Sequence, residues 1–324
     1  MTNFQVYKKT LGFSFLRFLA DLASLAMLGG VVAAGYFIAN GKGDGAGLIG
    51  AIVGFVVGLI LLVVFDFFVN TRIKAAQISM MTKGVVDGKL PEHCVTEGFN
   101  NLRGRFSRLA TFYLITRIIK GIFNQLSRTF NRIGTAIGGD VGNGVTSAIN
   151  SAVQTVIAYL CDCCLGWILY RQDVNPFKAG AEGCVIFFKH GKALVKNVGR
   201  IFGMGLLSLI VIGGAFFGLT YLVLSSNPQL LTVMIEEFKE IAATDGGVPP
   251  DVFTNPFYLS LMISGFVGLV FFGILHSILV KPFILVGVLK NYMNAGLADL
   301  PKESDFATLA EKSPKFRQLQ SRIE

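Results

Sequence analysis

From Leu48 to Val69 the chain runs for twenty-two residues with a single charge, Asp66. A helix needs about 20 such residues to cross roughly 30 Å of hydrocarbon. A helix also satisfies its backbone amides internally, as lipid demands. Comparable runs occur at Leu11 to Ala39, Ser147 to Tyr170, Ile201 to Leu224 and Phe257 to Val280. Only 15% of the 324 residues are charged and 52% are hydrophobic, whereas soluble proteins carry about a quarter charged residues. With 38 glycines and 29 phenylalanines against 9 prolines, the expectation is an all-α, polytopic membrane protein with closely packed helices, not a porin-like barrel.

The net charge of +9 reads on such a chain as an excess of Lys and Arg on the cytoplasmic side, not as a nucleic-acid footprint. A sixth candidate span, amphipathic and missed by hydropathy, covers about residues 106–133. If it alone is omitted while 147–170 crosses, the basic segment from Arg171 to Arg200 falls outside, against the positive-inside rule. Six spans, at about 11–39, 48–69, 106–133, 147–170, 201–224 and 257–280, keep that segment, residues 72–108 and both termini inside. The external loops are then GKGDGAG, the turn around GGDVGNG, and the acidic stretch from Ser225 to Asn255 with Glu236, Glu237, Glu240, Asp245 and Asp251 against Lys239. All five thiols, Cys94, Cys161, Cys163, Cys164 and Cys184, lie on or near the reducing side in this scheme. The start MTNFQVYKK, followed by Arg17 and Asp21, reads as an uncleaved anchor. The domain reading is one membrane domain, 1–301, with a cytoplasmic tail, 302–324; the membrane expected is a plasma or bacterial inner membrane.

On a helical wheel, Arg117, Lys120, Asn124, Arg128 and Arg132 share one face of the 106–133 segment, with Gly121 among them, while Ile118, Ile119, Ile122, Phe123 and Phe130 cover the other. Two arrangements fit. The helix lies in the headgroup layer with its basic face toward anionic phosphates, or it crosses with that face turned toward other spans, since an unpaired mid-membrane Arg costs roughly 3 kcal/mol. Candidate partners are Asp66 and Asp162, and Arg17 with Asp21 is expected as a local i, i+4 ion pair. Asn150 and Gln154 give the fourth candidate span a polar face. Together the third and fourth spans read as a polar, anion-favouring hairpin.

Gly50, Gly54 and Gly58 at four-residue spacing form a ridge for close helix contact, within the chain or between copies; Gly214 and Gly218 repeat the pattern. A short internal repeat pairs TEGFNNLRGRFSRLATF with AEGCVIFFKHGKALVKN, each opening on Glu-Gly (Glu97-Gly98 and Glu182-Gly183). No HExxH, GxSxG or Walker loop occurs and His93, His190 and His276 are scattered, so neither an enzyme, a cofactor nor a metal site is expected. The cluster Cys161, Asp162, Cys163, Cys164 is open to soft-metal binding or palmitoylation. The tail KESDFATLAEKSPKFRQLQSRIE is expected as a short amphipathic helix capped near Ser304, docking on the protein's own cytoplasmic segments or on a partner.

The stretch from AEGCVIFFKHGKALVKNVGRIFGMGLL to KPFILVGVLKNYM resembles, over about a hundred residues, the final third of choline-transporter-like proteins in its order of basic amphipathic segment, span, external loop and last span. The resemblance carries no substrate and no site residue, and those proteins have more spans. The functional expectation is a transport protein, a homo-oligomeric channel or pore biased toward anions. A non-transporting scaffold that binds anionic lipid or shapes the bilayer is the alternative, and a solute carrier the third reading.

Overall fold

The computed structural model describes the chain except residues 41–45, 104–108, 114–115, 117, 126–142, 245–249 and 324. The described residues are helical, with no strand among them. Two compact units form: Met1–Gly199 with Pro282–Glu324, and Arg200–Lys281.

In the first unit, α1 (Asn3–Ala39) pairs with α2 (Ala46–Phe65). Helix α1 has 37 residues, about 55 Å at 1.5 Å per residue, so it is far longer than a bilayer core requires. Helix α2 continues through a single π-helical turn, Asp66–Asn70, into α3 (Thr71–Val86). The hairpin is held where the sequence placed its glycine ridge. A Cβ at Gly50 would collide with the backbone oxygen of Gly35, one at Gly54 would come 2.6 Å from the Val31 carbonyl, and one at Gly58 2.6 Å from Leu28. The ridge is therefore occupied within the chain.

The rest of this unit comprises α4 (Cys94–Leu102), α5 (the helical positions of 109–125), the later part of α6 (Asn143–Tyr170), α7 (Pro176–Ser208) up to Gly199, α12 (Lys281–Ala298), α13 (Glu303–Lys312) and α14 (Pro314–Gln320). Here burial runs round whole helices. Every residue from Tyr159 to Leu169 is buried, as are nearly all of 75–84 and 284–289. Trp167 is fully buried, and its Nε1 donates to Glu182 at 3.0 Å, while Tyr292 donates its hydroxyl to the Gly183 carbonyl at 2.6 Å.

The two Glu-Gly glycines of the sequence repeat do the same work. A Cβ at Gly98 would lie 2.5 Å from Phe13 and one at Gly183 2.5 Å from Cys164, so each admits a close crossing helix. The glutamates differ: Glu182 is buried and paired, Glu97 is half-exposed.

The second unit contains the end of α7 from Arg200, a π turn at Leu209–Gly213, α8 (Gly214–Ser226), α9 (Pro228–Thr244), the short α10 (Asp251–Thr254), α11 (Pro256–Leu275) and a π turn at His276–Val280. Its close contact is not the Gly214/Gly218 pair, which faces open space. It is Gly268, whose added Cβ would come 2.8 Å from the Gly213 carbonyl and 3.2 Å from Phe217. The correction has a simple cause, because four-residue spacing marks a ridge without saying which neighbouring column meets the partner.

Four helices among the described residues are long and apolar enough to cross a membrane: Asn3–Ala39, Ile49–Val86, Ile201–Ser226 and Pro256–Ala298. Many of their exposed side chains are apolar, including Ile52, Val56, Ile60 and Val63 on α2 and Leu206, Ile210, Leu219 and Leu222 along 201–226. The four match four of the six sequence candidates. Among the described residues of 147–170 the apolar helix is Gln154–Tyr170, whose last turns are enclosed by protein. The 106–133 candidate is described only to residue 125.

Candidate functional site

The polar groups singled out by sequence fall into three places in the first unit. The first lies where α1 and α2 end their apolar contact. The Nδ2 group of Asn70 donates to Asp21 Oδ1 at 2.6 Å and to Asp66 Oδ1 at 2.8 Å, so one amide holds two carboxylates from different helices. Asp66 opens the π turn and Asn70 closes it; the extra residue in that turn moves Asn70 out of α-helical register, as π turns do. Arg17 and Asp21 do not form the expected ion pair, and Arg17 Nε is buried without a hydrogen-bond partner among the described residues. Tertiary contact with Asn70 outcompetes the local i, i+4 option, which is worth only about 0.3–0.5 kcal/mol on an isolated helix. Asp66 likewise turns to Asn70.

The second place is α5 with α6. Gln154 Nε2 donates to Asn124 Oδ1 at 2.9 Å, so two of the predicted polar-path residues meet. Lys120 is exposed, while Ile119, Ile122 and Phe123 are fully buried. Arg117, Arg128 and Arg132 lie outside the described residues, as does the side chain of Asn150. Asp162, expected to face the basic stripe, pairs with Lys74 of α3 at 2.5 Å. Lys74 carried no sequence signal, since nothing in α3 marks which helix it will meet.

The third place is the tail. The expected single helix is two, α13 and α14, broken at Ser313-Pro314; Ser313 Oγ accepts from Phe316 N at 3.2 Å and so caps α14. At the start of α13 it is the Lys302 amide that donates to Asp305 Oδ2, at 2.9 Å. Ser313 Oγ donates to Gln125 Oε1 on α5 at 2.6 Å, and Lys315 lies over Gly121, where an added Cβ would meet its side chain. Lys189 of α7 holds Asp299 at 2.7 Å and Asp305 at 3.2 Å, and Lys312 sits 4.7 Å above the Phe188 ring. The tail therefore docks on its own chain.

Hydrogen bonding to Lys189 lowers the Asp299 carboxyl pKa, and the Lys302 backbone amide, then Lys189, lower that of Asp305, both below the ordinary 3.8. A depressed carboxyl stabilises docking above its undocked pKa and loses that contribution as pH falls through the docked value. Tail docking should therefore be intact at neutral pH and weaken as the medium falls below pH 3.8. Lys189→Glu should release it at neutral pH, seen as faster limited proteolysis after residue 299, with unchanged cleavage contradicting the docking role.

All five cysteines are free and buried. Burial raises the Cys94 thiol pKa above its ordinary value, outweighing Lys9 and Lys83. A buried protonated thiol is a poor nucleophile, so the cysteine cluster offers palmitate no access. Maleimide should label none of the five in the folded protein and all five after denaturation, and rapid native labelling at Cys163 or Cys164 would contradict this burial. Among the described residues no three His, Cys, Asp or Glu side chains converge to hold a metal. No family model, curated protein or solved structure matches the chain.

Proposed function

We propose that the chain is a membrane-embedded scaffold that crosses four times and presents a basic helical body to anionic lipid headgroups on the side of its termini. The observation that carries this reading is the packing of α14 on α5. It lays Lys315 over Gly121, the residue after the exposed Lys120, and neither lysine has an ion-pair partner among the described residues. An exposed cation on each of these two helices attracts phosphate from anionic lipid, at roughly 1 kcal/mol per basic residue near a charged surface.

Four crossings also satisfy the charge rule that excluded five. Removing 106–133 and 147–170 together restores parity, so residues 71–200 and 281–324 share the cytoplasmic side while the acidic 225–255 stretch lies outside. The apolar face of α5 supports this arrangement, since Ile119, Ile122 and Phe123 are covered by protein. The glycine ridge is occupied inside the hairpin and supplies no oligomer contact.

A second reading, anion transport along α5 and α6, draws on the Asn124–Gln154 hydrogen bond. One experiment separates the two. Protein in zwitterionic nanodiscs is mixed with phosphatidylglycerol or phosphatidylcholine vesicles at low and high salt, and chloride flux is measured in proteoliposomes. The scaffold predicts binding to phosphatidylglycerol only, falling several-fold with salt and with the Lys120→Glu/Lys315→Glu double variant, and no flux above empty vesicles. Flux that the same variant reduces would instead select transport.

A further inference from the structure

We infer that α9 lies flat in the headgroup layer at the turn of the second hairpin, one edge in lipid and the other in water. The inference rests on α8 and α11 crossing a membrane, and it concerns a surface of different chemistry from the basic body. At 100° per residue, Leu230, Leu231, Met234 and Ile235 fall within an arc of about 140°, and Glu236 stands opposite.

The structure divides that arc. Leu231 and Ile235 are 5% and 7% exposed, buried against Leu224 of α8 and Leu259 of α11. Leu230 and Met234, on the same arc, are 53% and 37% exposed. The apolar face is wider than the hairpin covers.

What covers the remainder follows from continuity. Leu222 and Val223 at the end of α8, and Phe257 and Tyr258 at the start of α11, are exposed apolar side chains of the same unit. They belong to crossing helices, whose exposed flanks face lipid, and α9 follows α8 after the single residue Asn227. A helix tied that closely to the end of a span lies at bilayer depth, where an exposed leucine and methionine meet acyl chains and Glu236 meets water.

The test is site-directed spin labelling of the full chain in phosphatidylcholine vesicles. Single cysteines replace Leu230, Met234, Glu236 and, as a span control, Leu222; oxygen and a water-soluble nickel chelate serve as relaxants. Labels at Leu230 and Met234 should collide with oxygen several-fold more than with nickel, like Leu222, while Glu236 shows the reverse. If Leu230 and Met234 match Glu236, the helix stands off the membrane and the inference fails. Shielding of both positions from both relaxants means that another protein surface covers the edge, which also overturns it. A water-like Leu222 removes the crossing of α8 itself, and this inference with it.

Discussion

Gly50→Leu should disrupt the first hairpin, whereas Gly218→Leu should leave the protein intact. At Gly50 even a methyl group meets the Gly35 backbone, which no rotamer change can move; at Gly218 nothing lies within 4 Å of an added Cβ. Overpacking a rigid contact costs about 3 kcal/mol at the upper end of the usual range. In lipid the loss is not offset by water, because helix association there depends on close packing and not on a hydrophobic drive between helices. The measurement is the thermal midpoint of the monodisperse peak in detergent, with a fall of roughly 5 °C or more expected for Gly50→Leu. Equal behaviour of the two variants would mean that α1 and α2 do not approach as described.

Glu182→Ala should cost about 2 kcal/mol, because it leaves the buried Trp167 indole without an acceptor and takes from Arg171 one of its two carboxylate partners. One Glu182 oxygen, Oε2, accepts from Trp167 Nε1 at 3.0 Å and lies 3.2 Å from Arg171. Arg171 keeps Asp173, which its Nε and NH2 groups hold at 2.9 Å each, but the indole N–H of Trp167 is left unpaired in a closed interior. Glu182→Gln retains an acceptor and should cost less than half as much. Trp167 is the chain's one tryptophan, so intrinsic fluorescence reads this site alone. The alanine variant should emit further to the red and unfold earlier in denaturant, with the glutamine variant close to wild type. A wild-type spectrum and midpoint for the alanine variant would dismiss Glu182 as a buried anchor.

Several particulars were legible in the residues themselves. The run from Leu48 to Val69 specifies a helix long and apolar enough to cross a membrane, because apolarity and length are local properties of the sequence. Gly50, Gly54 and Gly58 announced a tight helix contact, and α1 supplies it. The basic, two-faced character of α5 was equally plain. Sequence could not say what covers its apolar face, since a lipid bilayer and a protein interior both reward the burial of Ile119, Ile122 and Phe123.

Partnership was the other blind spot. Arg17 and Asp21 stand four apart and look like a pair, but Asp21 reaches Asn70, forty-nine residues along the chain. Asp162 likewise reaches Lys74, which no periodicity singled out. The sequence by itself determined the helical class, four of its six candidate spans as helices long and apolar enough to cross a membrane, and the ridge that joins the first two, all consequences of short-range pattern. Tertiary structure alone decided that residues 159–169 are enclosed by protein, that the tail folds back on α5, and which polar group meets which. Those outcomes depend on side chains brought together from distant positions, where the geometry of approach selects among partners of the same chemistry.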